Sequence, residues 1–299
     1  MEKRHEITVP TSFAHEVTSE QGEAGQEWLD ALPKRFADAC NEWGLTIDGD
    51  PMHGHLGLVF PVRRGKEKCA LKISAVNDSS RHEALALATW NGNGAVKLLD
   101  AKPEDGVLLL ERLDATRSLE DIDVDDAVTV SGQLLRRLAV PAPAEVPKLA
   151  DHMATLLPIM TERWEKFGKP FSKDVLDAAQ GTAKMLSATS ANLLVDFDLH
   201  YGNVLAGERE PWLVIDPKVL AGDPEYGLWP LLFCRRGEAE DAASLAQRFY
   251  ALLEASGLDR DKAKGWALVK TAEYWLWALS IGLTEDPKRC KVMMDWLRG

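Results

Sequence analysis

Three oxygen-bearing side chains follow one another in an order that could handle a phosphate. Asp198 and Asn203 lie five residues apart in Asp198-Leu199-His200-Tyr201-Gly202-Asn203, and Trp212-Leu213-Val214-Ile215-Asp216 comes next. Phosphoryl transfer needs a carboxylate that orients the attacking hydroxyl and accepts its proton. It also needs hard oxygen ligands that hold Mg2+ against the phosphates. One Asp could do the first task; an amide oxygen and a second Asp could do the other. A bare Asp-x4-Asn is more often a turn, because Asp, Gly and Asn all favour tight bends. The apolar run before this loop, and the strand-like run that ends at Asp216, make it more specific than that.

A second group could hold the nucleotide. Lys72 lies in the strand-like run Cys69-Ala70-Leu71-Lys72-Ile73, and Glu83 lies on the helix expected after Asp78-Ser79-Ser80. A strand Lys that contacts the α- and β-phosphates and pairs with a Glu on the next helix is a recurring way to bind ATP. The plainer reading of Lys72 is a solvated Lys on an edge strand, although its apolar flanks are unusual for one. For Glu83 a capping box competes, since Ser80-x-x-Glu83 would send the side chain back to the Ser80 amide. Ser79 as the cap would free it. Gly54 and Gly57, within His53 to Gly57, could let backbone amides approach phosphates or could simply turn the chain. Backbone groups from Glu111 to Leu113, at the exit of Val107-Leu108-Leu109-Leu110, could bond adenine.

The elements that must place these residues fall into two sets. Residues 24–43 predict an amphipathic helix, with Trp28, Leu32, Phe36 and Cys40 four apart and Gly44 to stop it. Strand-like runs follow at 58–62 and 69–73 around a turn containing Gly65, then a helix to about Trp90, then strands at 96–99 and 107–110. After Asp114 the periodicity is helical over 124–139, 150–167, 172–188, 239–256 and 261–283, interrupted by apolar runs at 193–195 and 212–215. The expectation is an α+β chain. Residues 1–113 would be a nucleotide-binding unit with a leading helix, and 114–299 a helical unit with the catalytic loop and acceptor site.

The Asp-x4-Asn spacing matches the catalytic loop of protein kinases. With Pro217-Lys218-Val219-Leu220-Ala221-Gly222-Asp223-Pro224-Glu225-Tyr226 added, the segment from Val195 resembles the aminoglycoside/hydroxyurea phosphotransferase family. Its streptomycin 6-phosphotransferase branch has a similar Asp-Leu-His-x-x-Asn loop and a Trp-Leu-Val-Ile-Asp-Pro strand. The resemblance is specific over about 193–230 and weaker, but collinear, over about 54–119. It implies the protein-kinase-like two-lobe fold, ATP with Mg2+, and transfer of the γ-phosphate to a hydroxyl of an aminoglycoside-type antibiotic. On this resemblance Asp198 is the base, His200 braces the loop, Asn203 and Asp216 hold the metal, and Lys72 with Glu83 serves the phosphates. A kinase of hydroxyurea or another small metabolite, and a non-catalytic kinase-like nucleotide-binding protein, are the alternatives.

Two positions depart from the family pattern. The family usually has His-Gly before the catalytic Asp, where this chain has Asp196-Phe197. It usually has an Asp after the later Tyr, where this chain has Gly227. Asp196 sits two positions from Asp198, on the same face of an extended segment, where two carboxylates would repel. Asp196 could instead point away along the strand and make a backbone or salt-bridge contact. The resemblance implies an acceptor pocket lined by acidic and aromatic residues, so Asp196, Asp223, Glu225 and Glu273 are candidates to meet a cationic acceptor; the last three can also be read as plain surface carboxylates.

The chain has 299 residues and a formal net charge of −12. That balance argues against nucleic acid, which needs clustered Lys and Arg, and favours a cationic small molecule. Cys40, Cys69, Cys234 and Cys290 show no metal-site spacing and suit a reducing compartment. The N-terminus lacks the apolar core of a signal peptide and no apolar run is long enough for a membrane span, so a cytoplasmic protein is expected.

Overall fold

The computed structural model describes residues 7–54, 57–77, 80–235 and 241–299. The chain divides into two compact units, Met1–Asp114 with Gly207–Pro211, and Ala115–Ala206 with Trp212–Gly299.

The first unit is strand-rich. Helix α1 (Thr11–Trp43) precedes β1 (Leu45–Ile47), β2 (Met52–His53), β3 (Gly57–Arg64), β4 (Glu67–Ser74), α2 (Glu83–Trp90), β5 (Leu98–Lys102) and β6 (Val107–Glu111). The strands form one sheet in the order β1-β3-β4-β6-β5, with β2 beside β3. β3 and β4 pair from Gly57 opposite Ser74 to Arg64 opposite Glu67. Phe13, Val17, Leu32 and Phe36 of α1 share one core with Leu58, Phe60, Leu71 and Ile73 of the sheet. The Phe36 and Phe60 rings stand 4.5 Å apart.

Helix α1 begins well before the expected residue 24. Its first turns bury only Phe13 and Val17 among polar neighbours, too few apolar positions for the periodicity to register. The helix bends at Gly22, whose φ of 58° and ψ of −130° suit glycine. Gly25 then lets the segments on either side approach, since a Cβ there would stand 2.6 Å from the Val17 carbonyl oxygen.

The second unit is mainly helical. It contains β7 (Asp114–Ser118) from Ala115 on, α3 (Val124–Leu138), α4 (Leu149–Lys166), α5 (Lys173–Ala188), β8 (Leu193–Asp196), β9 (Val204–Ala206) and β10 (Trp212–Val214). β11 (Val219–Gly222), α6 (Trp229–Phe233), α7 (Ala242–Ser256), α8 (Arg260–Ser280) and α9 (Glu285–Arg298) complete it. Short 3-10 turns cover Tyr201–Asn203 and Pro224–Leu228. Two small sheets, β10-β9-β7 and β11-β8, carry the loops that matter below. Asp123, Asp241 and Asp259 cap α3, α7 and α8 by accepting amide hydrogens of their first turns. α3 packs on α7, and α8 on both α5 and α9.

Helix α8 is rich in aromatic residues and packs into the core, with Trp266 fully buried. It ends at Ser280 rather than 283, where Gly282 turns left-handed at φ 81°. The start of the helix expected from 239 lies partly outside the described residues. Among the described residues no helix is long and apolar enough to cross a membrane.

Candidate active site

In the first unit Lys72 stands mid-way along β4, opposite Val59 of β3 and Leu108 of β6. Its Nζ lies 2.7 Å from each carboxylate oxygen of Glu83, the first residue of α2. The two side chains keep only 11% and 3% of their exposure, so removing either would strand a buried charge. The capping alternative for Glu83 is not realised. His82 holds the N-cap position, the Glu83 amide donates to the Ser80 carbonyl, and the Ser80 amide donates to Asn77 Oδ1. Ser79 lies outside the described residues.

Gly54 and Gly57 close the end of the β2–β3 hairpin, the Gly54 amide donating to the Gly57 carbonyl at 3.0 Å. A Cβ on Gly57 would stand 3.2 Å from Ser74 Cβ and 3.8 Å from Lys72 Cε, so bare backbone lies beside the lysine. His55 and Leu56, the tip of the expected phosphate loop, lie outside the described residues. Glu111 is more committed than expected. Its amide donates to the Lys97 carbonyl, and its carboxylate accepts from the Lys97 amide and the Arg209 guanidinium. An adenine could therefore use the Glu111 carbonyl and Leu113 but not the Glu111 amide.

In the second unit the loop after β8 is fastened at several points. The Phe197 amide donates to the Lys218 carbonyl, the Asn203 amide to the His200 carbonyl and the Ile215 amide to the Asn203 carbonyl, each at 2.9 Å. Asn203 Nδ2 donates to the Asp198 carbonyl at 3.3 Å. The Asp-x4-Asn spacing thus lets the Asn203 side chain close the loop on itself. His200 caps the 3-10 turn, and its ring packs where a Cβ on Gly202 would come within 3.2 Å.

The strand expected to end at Asp216 ends earlier. β10–β9 pairing stops at Val214 opposite Val204, and Asp216 follows in the left-handed region at φ 51°. Asp tolerates that conformation better than a branched residue would. The Ile215–Asn203 bond makes Asn203 and Asp216 near neighbours along paired backbones. Their donor set suits magnesium, since two hard oxygen ligands leave places for phosphate and water. Among the described residues no cluster of three His, Cys, Asp or Glu could hold a metal.

Asp198 is half-buried and its Oδ2 accepts from Lys218 Nζ at 2.6 Å. Sequence reasoning passes over Lys218. Only the β8–β11 pairing, which sets Val219 opposite Asp196, brings this residue to the loop. Lys270 on α8 is missed as well. Its ammonium lies 5.8, 5.1 and 5.6 Å from the ring centres of Phe197, Tyr226 and Trp229, and 3.6 Å from Glu273 Oε2. Burial works against its charge, but Tyr226, Glu273 and Asp198 outweigh burial and its pKa is pushed up to about 12.

The carboxylates expected to meet a cationic acceptor need correction. Asp223 is fully buried. Its Oδ1 accepts from the Ala191 amide and Lys262 Nζ, and its Oδ2 from Trp266 Nε1. Glu225 is buried beside it and accepts from the Asp259 amide; burial raises its pKa. Glu273 is engaged with Lys270. Asp196 does not face outward beside Asp198 but turns into the interior, at 3% exposure. Asp196, Asp223 and Glu225 brace the second unit from within, because each accepts from backbone or indole donors that burial obliges a partner to satisfy.

The sequence pattern described as aminoglycoside/hydroxyurea antibiotic resistance kinase matches residues 42–282. The chain belongs to this family. A streptomycin 6-kinase from Streptomyces glaucescens is 35% identical over 98% of both chains. A hydroxyurea phosphotransferase from Kitasatospora aureofaciens is 37% identical over 98% of this chain and 86% of its own length. Among solved structures, a thermostable mutant aminoglycoside phosphotransferase in ternary complex with ADP and hygromycin B superposes with a TM-score of 0.61. It is 15% identical, over 88% of this chain and 98% of that one. An ethanolamine kinase from Plasmodium vivax gives 0.59 at 13% identity, over 99% and 97%. Identities this low carry the fold alone. That fold is the protein-kinase-like α+β fold expected from residues 195–226, with the larger sheet in the first unit and most helices in the second.

Proposed function

We propose that this family member is an ATP-dependent phosphotransferase that moves the γ-phosphate to a hydroxyl of an aminoglycoside-type antibiotic, a streptomycin-like compound first among them. The observation that carries this reading is the closed loop in which Asn203 holds the Asp198 carbonyl while Ile215 ties Asn203 to Asp216. The name of the 35% identical streptomycin 6-kinase supports the acceptor class.

Residues 1–113 bind the nucleotide in this reading. Lys72, held by Glu83, meets the α- and β-phosphates, the Gly54–Gly57 backbone covers them, and Leu113 with the Glu111 carbonyl meets adenine. Residues 114–299 carry catalysis and the acceptor. Asp198 orients the acceptor hydroxyl and takes its proton as the new O–P bond forms and the bond to the leaving phosphate oxygen breaks. Lys218 fixes the Asp198 carboxylate and adds a positive charge beside the transferring group. Asn203 and Asp216 hold Mg2+, which when bound neutralises charge on the phosphate oxygens. The acceleration comes from positioning and charge rather than from covalent chemistry with the protein. The protein works in the cytoplasm.

A second reading, transfer to hydroxyurea, rests on the 37% identical relative. The test is ADP release from MgATP by the purified chain against streptomycin, other aminoglycosides, hydroxyurea and simple sugars. Streptomycin is expected to drive release and to gain one phosphate by mass spectrometry. Release with hydroxyurea alone would establish the second reading. Thermal stabilisation by MgATP with no release for any acceptor would instead mark a non-catalytic nucleotide binder.

A further inference from the structure

The two departures from the family pattern, at 196–197 and at 227, meet in space. A Cβ on Gly227 would stand 2.5 Å from the Asp196 carbonyl oxygen and 3.2 Å from Val195 Cγ1. Asp196 itself makes an unusual pair of contacts. Its Oδ1 accepts from the Asp198 amide at 3.0 Å and from the Lys218 amide at 3.2 Å. Its Oδ2 is buried without a hydrogen-bond partner. The backbones fastened by this single oxygen belong to the two residues whose side chains form the 2.6 Å Lys218–Asp198 pair.

We propose that Asp196 is a positioning residue for phosphoryl transfer: its carboxyl group clamps the backbones of Asp198 and Lys218 together, and Gly227 leaves room for the Asp196 backbone carbonyl, so the two departures are one compensated change. The proposal rests on the function given above for Asp198. Stability alone does not account for Asp196. A buried carboxylate with one oxygen unpartnered costs free energy, and an apolar residue of similar volume would remove that cost. What the carboxylate supplies is geometry. Two backbone amides that donate to one side-chain oxygen, at 3.0 and 3.2 Å, restrict both chains at once. A displacement of about 1 Å at a reacting group can cost roughly 100-fold in rate.

Asp196→Leu and Asp196→Asn in the full chain separate these effects. Leu fills the volume and loses the acceptor; Asn keeps an acceptor oxygen. We expect Asp196→Leu to lower turnover roughly 100-fold with the KM for MgATP nearly unchanged and no loss of melting temperature. Asp196→Asn should stay within about tenfold of the parent. Hydrogen exchange at the Asp198 and Lys218 amides, read by NMR without nucleotide or acceptor, should accelerate in the Leu variant and not in the Asn variant. Gly227→Ala should lower turnover by itself and add little on top of Asp196→Leu, because coupled positions are not additive. Unchanged exchange and turnover in Asp196→Leu would overturn the proposal, and so would fully multiplicative effects of the two substitutions. If Asp196→Leu fails to fold, exchange in Gly227→Ala decides: both amides accelerate, or the clamp is wrong. A parent that phosphorylates no acceptor defeats the functional reading, while the exchange data still decide the clamp.

Discussion

Two lysine–carboxylate pairs, one in each unit, have almost the same separation and opposite surroundings. Lys72 and Glu83 meet at 2.7 Å with side-chain exposures of 11% and 3%. Lys218 and Asp198 meet at 2.6 Å with 36% and 33%. Distance therefore says little about what either pair does. The enclosed pair cannot lose a member without leaving a desolvated charge, so it holds the lysine in one place. The half-open pair contributes little to folding and can exchange partners when a substrate arrives. A fixed cation suits a phosphate that only has to be held, and an exchangeable pair suits the group that must act.

Three substitutions test that contrast. The largest effect is expected at Asp198. Asp198→Ala should lower transfer by roughly 100- to 10,000-fold, the range for losing a positioned base, with MgATP binding by thermal shift retained. Full turnover by that variant would remove the half-open pair from catalysis. Glu83→Ala should cost about 3–5 kcal/mol of stability in urea unfolding, as expected when a buried pair loses one partner. A cost under about 1 kcal/mol, the value for surface pairs, would abolish the distinction. Lys218→Ala should leave the unfolding midpoint almost unmoved and lower turnover by roughly tenfold. A large stability loss there would make the two pairs alike.

The smallest effect concerns pH. His152 stacks on Phe197, the neighbour of Asp198, at 6.2 Å. Burial, together with the charge of Lys270, holds its pKa below the usual 6.5. The unfolded chain then takes up a proton that the folded chain refuses, so stability falls as pH drops through the unfolded value. His152→Gln should flatten the stability profile between about pH 7.5 and 5.5. An unaltered slope would mean that the ring is not sheltered.

Long periodic segments were legible in the sequence, and so was the order of strands and helices. α9 is an exception, since Cys290, Met293, Met294 and Leu297 recur at helical spacing but follow a stretch with no other signal. β1, β2, β7, β9 and β11 have two to five residues, too few for alternation to show. At the site, Asp198, Asn203 and Asp216 could be read because their contacts are local or span one hairpin. Lys218 and Lys270 could not, because pairing and packing across the second unit bring them to the loop. Asp223 and Glu225 were misjudged for the same reason. A carboxylate in a polar stretch reads as surface until its distant partners, here Lys262, Trp266 and the Asp259 amide, are known.

The matched family span of 42–282 leaves out most of α1 and all of α9. Yet Phe13, Leu32 and Phe36 on one side, and Cys290 and Met293 on the other, show at most 3% of their surface. Recombinant expression trimmed to the homologous region would bare a greasy flank at each end of the protein and would be expected to precipitate. Kinship and self-sufficiency thus draw different borders on this polypeptide.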